Sequence, residues 1–449
     1  KQNKMKKYFG TDGIRGQANK FPMTAEIALK VGMAVGAKFM NGGHRHRVVI
    51  GKDTRLSGYM IEPALTAGFV GVGMDVFLLG PIPTPAVSML TRSLRADIGI
   101  MISASHNPYH DNGIKIFDAN GNKLSDAFEF EIENLIPVDI SQYLAKPQNL
   151  GRVKRLDEGK ERYIEFVKNS FAKDKTLNGL KIVIDCANGA AYAIAPTIFW
   201  ELGAEIVTIG VNPNGFNIND NCGSTSPERL RAKVLEEEAD IGIALDGDAD
   251  RLLIIDEQGK IIDGDKLIAL IAEKLHNEGR LKKDTVIITQ MSNLALENYL
   301  RYMGINTVRV GVGDRYVLEE IKKNGYNFGG EQSGHIILTD YSTTGDGLVA
   351  ALQILSIVVS EGKKVSELAN IYEANPQILK NVKLSGSANP LAHEDVTNFI
   401  KQKQMQVGKK GRIFIRKSGT ENLIRVMVEG EDLSEIENIA NEIIAMLKD

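Results

Sequence analysis

Two short stretches hold the side chains that could do covalent chemistry. The first is Ser103-Ala104-Ser105-His106-Asn107-Pro108, with Lys115 ten positions after Ser105. The apolar run Ile98–Ile102 before it has the length of one buried strand, and Asn107-Pro108 opens a turn after it. A hydroxyl where a strand leaves a sheet is a candidate nucleophile, but serine needs an activating partner at neutral pH. Taken alone, Ser105 reads first as a turn serine capping backbone groups. The second stretch reverses that order: Asp246-Gly247-Asp248-Ala249-Asp250-Arg251. Its three carboxylates alternate with small residues, so an extended backbone aims them to one side. Such like charges are costly together unless a cation shares them, and hard oxygen ligands suit one Mg²⁺. A calcium hand is excluded, because Arg251 stands where its glycine belongs and Leu252–Ile255 reads as a strand. A serine beside Mg²⁺ suits phosphoryl transfer. Ser105 lacks the glycines of a G-x-S-x-G elbow, and the chain has no P-loop, so acyl transfer and ordinary kinase chemistry fit less well.

Three more loops could hold a phosphate ester. Tyr8–Gly16 contains three glycines and an Asp-Gly step, which let backbone approach a ligand while Arg15 projects; a plain hairpin turn reads equally well. Glu331-Gln332-Ser333-Gly334-His335 is a polar loop able to read sugar hydroxyls or an amine, with Glu331 and Ser333 as first candidates and His335 closing it. Arg416-Lys417-Ser418-Gly419-Thr420-Glu421, with Arg425 beyond, joins guanidinium groups, hydroxyls and freed amides in the make-up of an anion nest.

The elements that must position these loops are announced by repetition. Gly73–Gly80, Gly203–Gly210 and Gly304–Gly311 share the pattern glycine, six residues, glycine. Each follows a helix-like stretch and a strand: Val48–Gly51, Ile182–Asp185 and Val286–Thr289. Ala-Asp-Ile-Gly-Ile occurs at 96–100 and at 239–243, leading once to Ser105 and once to the acidic loop; the third unit has Tyr326–Glu331 at that place. Strands alternating with helices predict α/β layers. The expected fold is three related α/β/α domains with mixed, mainly parallel sheets, plus a small C-terminal α+β domain, around a central cleft. Expected limits are 1–150 for the serine domain, 151–256 for the metal domain, 257–370 for the sugar domain and 371–449 for the phosphate-binding domain. Thr24–Met40 and Leu433–Leu447 read as amphipathic helices, and Gly347–Ser360 as a core helix too short to span a bilayer.

A length of 449 residues suits several domains. A net charge of −3 gives no pull toward nucleic acid or an anionic membrane. Two cysteines, Cys186 and Cys222, make no disulfide framework and predict a reducing, cytoplasmic setting. Lys1–Lys7 is basic with no apolar stretch behind it, so no secretory leader is expected, and Met5 is the expected natural start. A homodimer is compatible with the sequence, which specifies no oligomeric state.

The five loops TDGIRG (11–16), SASHNP (103–108), DGDADR (246–251), EQSGH (331–335) and SGTE (418–421) span the chain in an order that resembles the α-D-phosphohexomutases. TDGIRG and Gln332, where many phosphomannomutase/phosphoglucomutase members have methionine, resemble the bacterial members that act on glucosamine phosphate. The resemblance implies interconversion of the 6-phosphate and the 1-phosphate, which feeds amino-sugar nucleotide and cell-wall precursor synthesis. Ser105 would carry a phosphoryl group, with a hexose 1,6-bisphosphate as intermediate and activator. Mg²⁺ would sit on the phosphoserine oxygen, Asp246, Asp248 and Asp250. Arg15, His106, Lys115 and Arg251 would support the transferring group, with Lys115 a candidate general acid/base. Glu331, Ser333 and His335 would hold the sugar, and Arg416, Ser418, Gly419, Thr420 and Arg425 the other phosphate. Asn422 departs from the family's usual proline, a change that loosens a loop without removing a contact. Because the bisphosphate must turn over while bound, the fourth domain is expected to hinge near Asn375–Asn389. A phosphoglucomutase or phosphomannomutase, a Mg²⁺-dependent phosphatase and a non-catalytic phosphosugar sensor remain as alternatives.

Overall fold

The computed structural model describes residues 7–384, 390–418 and 423–448. One topology is laid down three times. In each unit a first strand pairs in parallel with a second on one side and a third on the other. The third then turns through a polar loop into an antiparallel fourth. In the first unit these strands are Arg47–Lys52, Asp75–Pro81, Ile98–Ile102 and Asp111–Phe117. In the second they are Lys181–Asp185, Glu205–Ile209, Ile241–Leu245 and Leu252–Asp256. In the third they are Thr285–Thr289, Asn306–Val310, Phe328–Gly330 and Ile336–Leu338. The three chemistry-bearing loops therefore occupy one equivalent place, at the carboxyl end of the third strand, where open α/β sheets put their ligands.

The crossovers are helical, Gly58–Gly71 and Thr84–Ser93 in the first unit, and they recur in the other two as Ile194–Glu201 with Glu228–Glu236 and Leu294–Tyr302 with Asp314–Asn324. The first sheet grows at both edges: Gly13–Gln17 adds antiparallel to Asp111–Phe117, and Val153–Arg155 adds parallel to Asp75–Pro81. The second gains Ile261–Ile262. These two sheets thus reach a few residues past positions 150 and 256. The chain from Gly10 to Gly16 is a hairpin whose second strand bears Arg15, one sheet position from the strand of Lys115.

The last unit is a three-stranded antiparallel sheet, Gln377–Lys383, Leu423–Glu429 and Arg412–Lys417, covered by Leu433–Lys448. Its apolar core, including Ile424, Val426, Ile436 and Ile443, forms a cluster of its own. The other units share one core that runs from Met101 through Ile243 to Ile288. The helix Gly347–Glu361 is buried in it from Gly347 to Val358. Its capping residue Asp346 accepts from the Leu348 and Val349 amides and from the Tyr163 hydroxyl at 2.7 Å, so the second unit's first helix, Gly159–Lys168, holds the start of this buried helix of the third. Among the described residues no helix is long and apolar enough to cross a membrane.

Candidate active site

The serine loop is held in a conformation that serine rarely adopts, with Ser105 at φ 53°. Left-handed backbone at a non-glycine residue costs about 1–3 kcal/mol and persists where its surroundings fix it. Here they do. The Ser105 amide donates to Ser103 Oγ at 2.9 Å, and Ser103 Oγ donates to Asp53 Oδ2 at 2.6 Å. The Ser105 carbonyl accepts from Arg55 Nη2 and from Asn219 Nδ2, each at 2.9 Å. Arg55, fully buried, is itself anchored by Asp53 at 2.8 Å. Asn219 comes from the second unit, so the serine loop is fixed from both sides.

That clamp aims Ser105 Oγ at the acidic loop, where it donates to Asp246 Oδ2 at 2.7 Å. Gly247 lets the loops meet, since a Cβ there would stand 2.5 Å from the Ser105 carbonyl oxygen. Asp246, Asp248 and Asp250 are all buried, and each offers a carboxylate oxygen within 4.8 Å of the others. Asp248 Oδ2 accepts from Thr84 Oγ1 at 2.6 Å and from Lys115 Nζ at 2.7 Å. Asp248 Oδ1 and Asp250 Oδ1 are buried without a hydrogen-bond partner. Buried carboxylate oxygens in that condition are costly, and a shared divalent cation removes the cost. The donor set fits such an ion. Burial, then Asp250 and Asp248, push the Asp246 carboxyl well above its ordinary range.

Around this centre runs a partly buried set of alternating charges drawn from three units. Lys115 also reaches Asp12 at 3.4 Å and Asp250 at 3.5 Å. Burial opposes its charge, but Asp12, Asp248 and Asp250 outweigh burial and hold it as an ammonium. Asp12 binds Arg15 at 2.6 Å and Lys123 at 2.7 Å, and Lys123 pairs in turn with Asp314 of the third unit. Asp314 faces His335 Nε2 at 3.5 Å, while His335 Nδ1 faces Asp250 at 3.7 Å. Burial alone would lower His335; Asp250, Asp314 and Glu331 push it up to about 9. His106, 3.5 Å from Ser105 Oγ, goes the other way, to about 4, through burial and the cations of Arg251 and Arg15. The Leu252 amide donates to the Gly334 carbonyl at 3.0 Å, splicing the acidic loop to the sugar-loop candidate.

A cleft of about 1250 Å³ opens over this centre. Arg15, Ser105 and His106 of the first unit line it, with Asp250 and Arg251 of the second and Glu331, Ser333 and His335 of the third; Arg416, Ser418 and Arg425 complete it from the fourth. Lys115, Asp246 and Asp248 stand behind its wall. Arg416 and Arg425 are directly opposed across two strands, and burial together with Arg425 lowers the pKa of Arg416. Two guanidinium groups so placed invite an anion between them. Gly419 and Thr420, with Glu421 and Asn422, lie outside the described residues. Residue type and spacing gave no role to Asp12, Asp53, Arg55, Lys123, Asn219 or Asp314. Their importance comes from partners far away in the chain; the one local sign was that Asp314 follows the third glycine-punctuated strand.

Four consecutive family matches cover the chain. Residues 6–141, 161–259 and 263–374 match the phosphoglucomutase/phosphomannomutase alpha/beta/alpha domains I, II and III, and residues 357–446 match the C-terminal domain of the same family. A protein named phosphoglucosamine mutase from Parvibaculum lavamentivorans is 58% identical over 443 residues, 99% of either chain. A phosphoglucomutase/phosphomannomutase family protein from Burkholderia thailandensis shares the fold with a TM-score of 0.82 at 24% identity, covering 99% of this chain and 97% of the other. N-acetylphosphoglucosamine mutase of Aspergillus fumigatus, solved with GlcNAc-6P and magnesium, shares it at 0.68 and 18% identity, covering 98% and 95%. The chain therefore belongs to the α-D-phosphohexomutases, within their phosphoglucosamine mutase family.

Proposed function

We propose that the chain interconverts glucosamine 6-phosphate and glucosamine 1-phosphate through a phosphorylated Ser105. The observation that carries this reading is the 2.7 Å contact of Ser105 Oγ with Asp246 inside the buried acidic triad. Asp246, Asp248 and Asp250 would hold Mg²⁺, which when bound supplies positive charge to phosphoryl oxygens. In the forward half-reaction the Ser105 Oγ–P bond breaks and the phosphoryl passes to the free sugar hydroxyl, whose proton leaves to a base. The bisphosphate then turns over, its other phosphoryl returns to Ser105 Oγ, and a proton returns to the product hydroxyl. Lys115, which Asp12, Asp248 and Asp250 favour as an ammonium, is the candidate general acid/base for these protons, since a cation on the carboxylates weakens that hold. His106, neutral at pH 7, stands with Nδ1 3.5 Å from Ser105 Oγ.

Arg15 and Arg251 flank the transferring group, Glu331, Ser333 and His335 orient the sugar, and Arg416, Ser418 and Arg425 grip the phosphate that stays. Gly419 and Thr420, which follow Ser418 in sequence, are proposed for the same grip. The four units, divided near residues 150, 256 and 370, thus contribute serine, metal, sugar and phosphate sites around one cleft. Relative turnover decides the sugar: glucosamine phosphate is expected to exceed glucose and mannose phosphates, and a preference for either of those would move the chain to a sister activity. Free phosphate released in step with isomerisation would instead mark a phosphatase.

A further inference from the structure

The first unit gathers a second set of metal-ligand types at the far end of its sheet. The parallel strands Arg47–Lys52 and Ile98–Ile102 begin side by side, with His46 and Asp97 immediately before their first residues. Ser105 follows their carboxyl ends, a strand's length away, roughly 16 Å at about 3.3 Å per residue. His44, His46 and Asp97 each offer one ligand atom, and these atoms lie within 4.8 Å of one another. His44 and His46 flank Arg45 in the segment that leads from a bend into the strand Arg47–Lys52. Arg45 between them turns away to Asp75, at 2.6 and 2.8 Å.

The neighbours of these side chains are those of a prepared site. His46 is 4% exposed, and its Nε2 meets the Asn41 carbonyl at 2.8 Å. A carbonyl only accepts, so Nε2 carries the proton and Nδ1 the lone pair. Ligating histidines are oriented by just such a bond from the other ring nitrogen. Asp97 is fixed as well: its Oδ2 accepts from the Arg47 amide at 2.8 Å, leaving Oδ1 against His44 Nε2 at 2.7 Å. The two imidazole rings are 4.1 Å apart between centroids.

We infer that His44, His46 and Asp97 form a second metal site, for Zn²⁺ or a similar first-row divalent ion, with water as the fourth ligand. Two imidazoles set it apart in chemistry from the all-carboxylate cluster, which suits a hard cation. As the ion enters, the proton on His44 Nε2 moves to Nδ1 of the same exposed ring, so no further base is needed. The ion ties the turn before Arg47 to the turn before Ile98 and stabilises the folded chain by its binding alone. It stands apart from turnover.

The test is calorimetric titration of Zn²⁺ into the full chain under excess Mg²⁺, with thermal melts alongside, for the wild type, His46→Ala and His44→Gln. The inference expects each variant to bind one Zn²⁺ fewer per chain and to lose the Zn²⁺-dependent rise in Tm, with Mg²⁺-supported turnover unchanged. His44 is exposed, so His44→Gln keeps the test intact even if His46→Ala folds poorly. Equal stoichiometry and an equal rise in Tm for wild type and His44→Gln would overturn it.

Discussion

Ser105 is useful because of what its backbone is made to do. Its hydroxyl reaches Asp246 only while φ stays at 53° and its carbonyl stays between Arg55 and Asn219. The serine, the three aspartates and Lys115 announce themselves in sequence through residue type and spacing. The clamp does not, because Asp53, Arg55 and Asn219 are ordinary polar residues until the fold brings them from 50 and 114 positions away. The same clamp yields a prediction. Gly247→Ala places a methyl 2.5 Å from the Ser105 carbonyl oxygen and 2.9 Å from Asn219 Nδ2, so the two loops must part. Displacement of about 1 Å between reacting groups costs on the order of 100-fold. The variant should therefore lose about that factor in kcat, and its unfolding midpoint should fall too, because overpacking a buried contact costs about 1–3 kcal/mol; unchanged kcat in steady-state assays would show that loop contact does not set the chemistry.

At the scale of elements, the C-terminal unit is attached to the third by a small polar set. Asn293 and Asn375 exchange two hydrogen bonds, at 2.9 and 3.1 Å. Arg412 donates to the carbonyls of Gln290 and Ser292, and Glu429 accepts from the Leu294 amide. Asp265 supports this patch by accepting from the Asn293 amide at 3.0 Å. Burial, then Asp263, push its carboxyl up to about 8. Unfolded, it ionises near pH ~3.9. Between those values the folded chain holds a proton the unfolded chain has lost, so this contribution to stability is full at low pH and is lost as pH rises toward 8. Asp265→Asn cannot ionise, and its Tm should fall less than the wild type's between about pH 5 and pH 8. An identical fall in both proteins would contradict that assignment. The repeated strands were legible because glycine punctuation and apolar runs are local signals. The strand Gly13–Gln17 was not, because a glycine-rich segment joins a sheet only through a partner strand about a hundred residues on.

Across the whole molecule, three units share a continuous core while the fourth keeps its own. Units joined through one apolar core move together; a unit joined through a polar patch is free to rotate. The expected hinge begins at Asn375, one of the two asparagines in that patch, and part of it, 385–389, lies outside the described residues. Small-angle scattering should show compaction when a hexose 1,6-bisphosphate binds, and an unchanged radius of gyration would count against a closing fourth unit. The cleft itself was foreseeable in outline, since three equivalent strand ends and a basic loop had to converge somewhere. The path from Asp12 through Lys123 and Asp314 to His335 was not, because Asp12 and Lys123 lie 111 positions apart and the Lys123–Asp314 pair crosses from the first unit to the third. Ser105 is the proposed phosphoryl carrier, and intact-protein mass spectrometry after incubation with a hexose 1,6-bisphosphate tests that role most directly. One phosphate per chain, mapping to Ser105 and absent in Ser105→Ala, is the predicted result; isomerisation with Ser105 unmodified, or a phosphate on another residue, would contradict it.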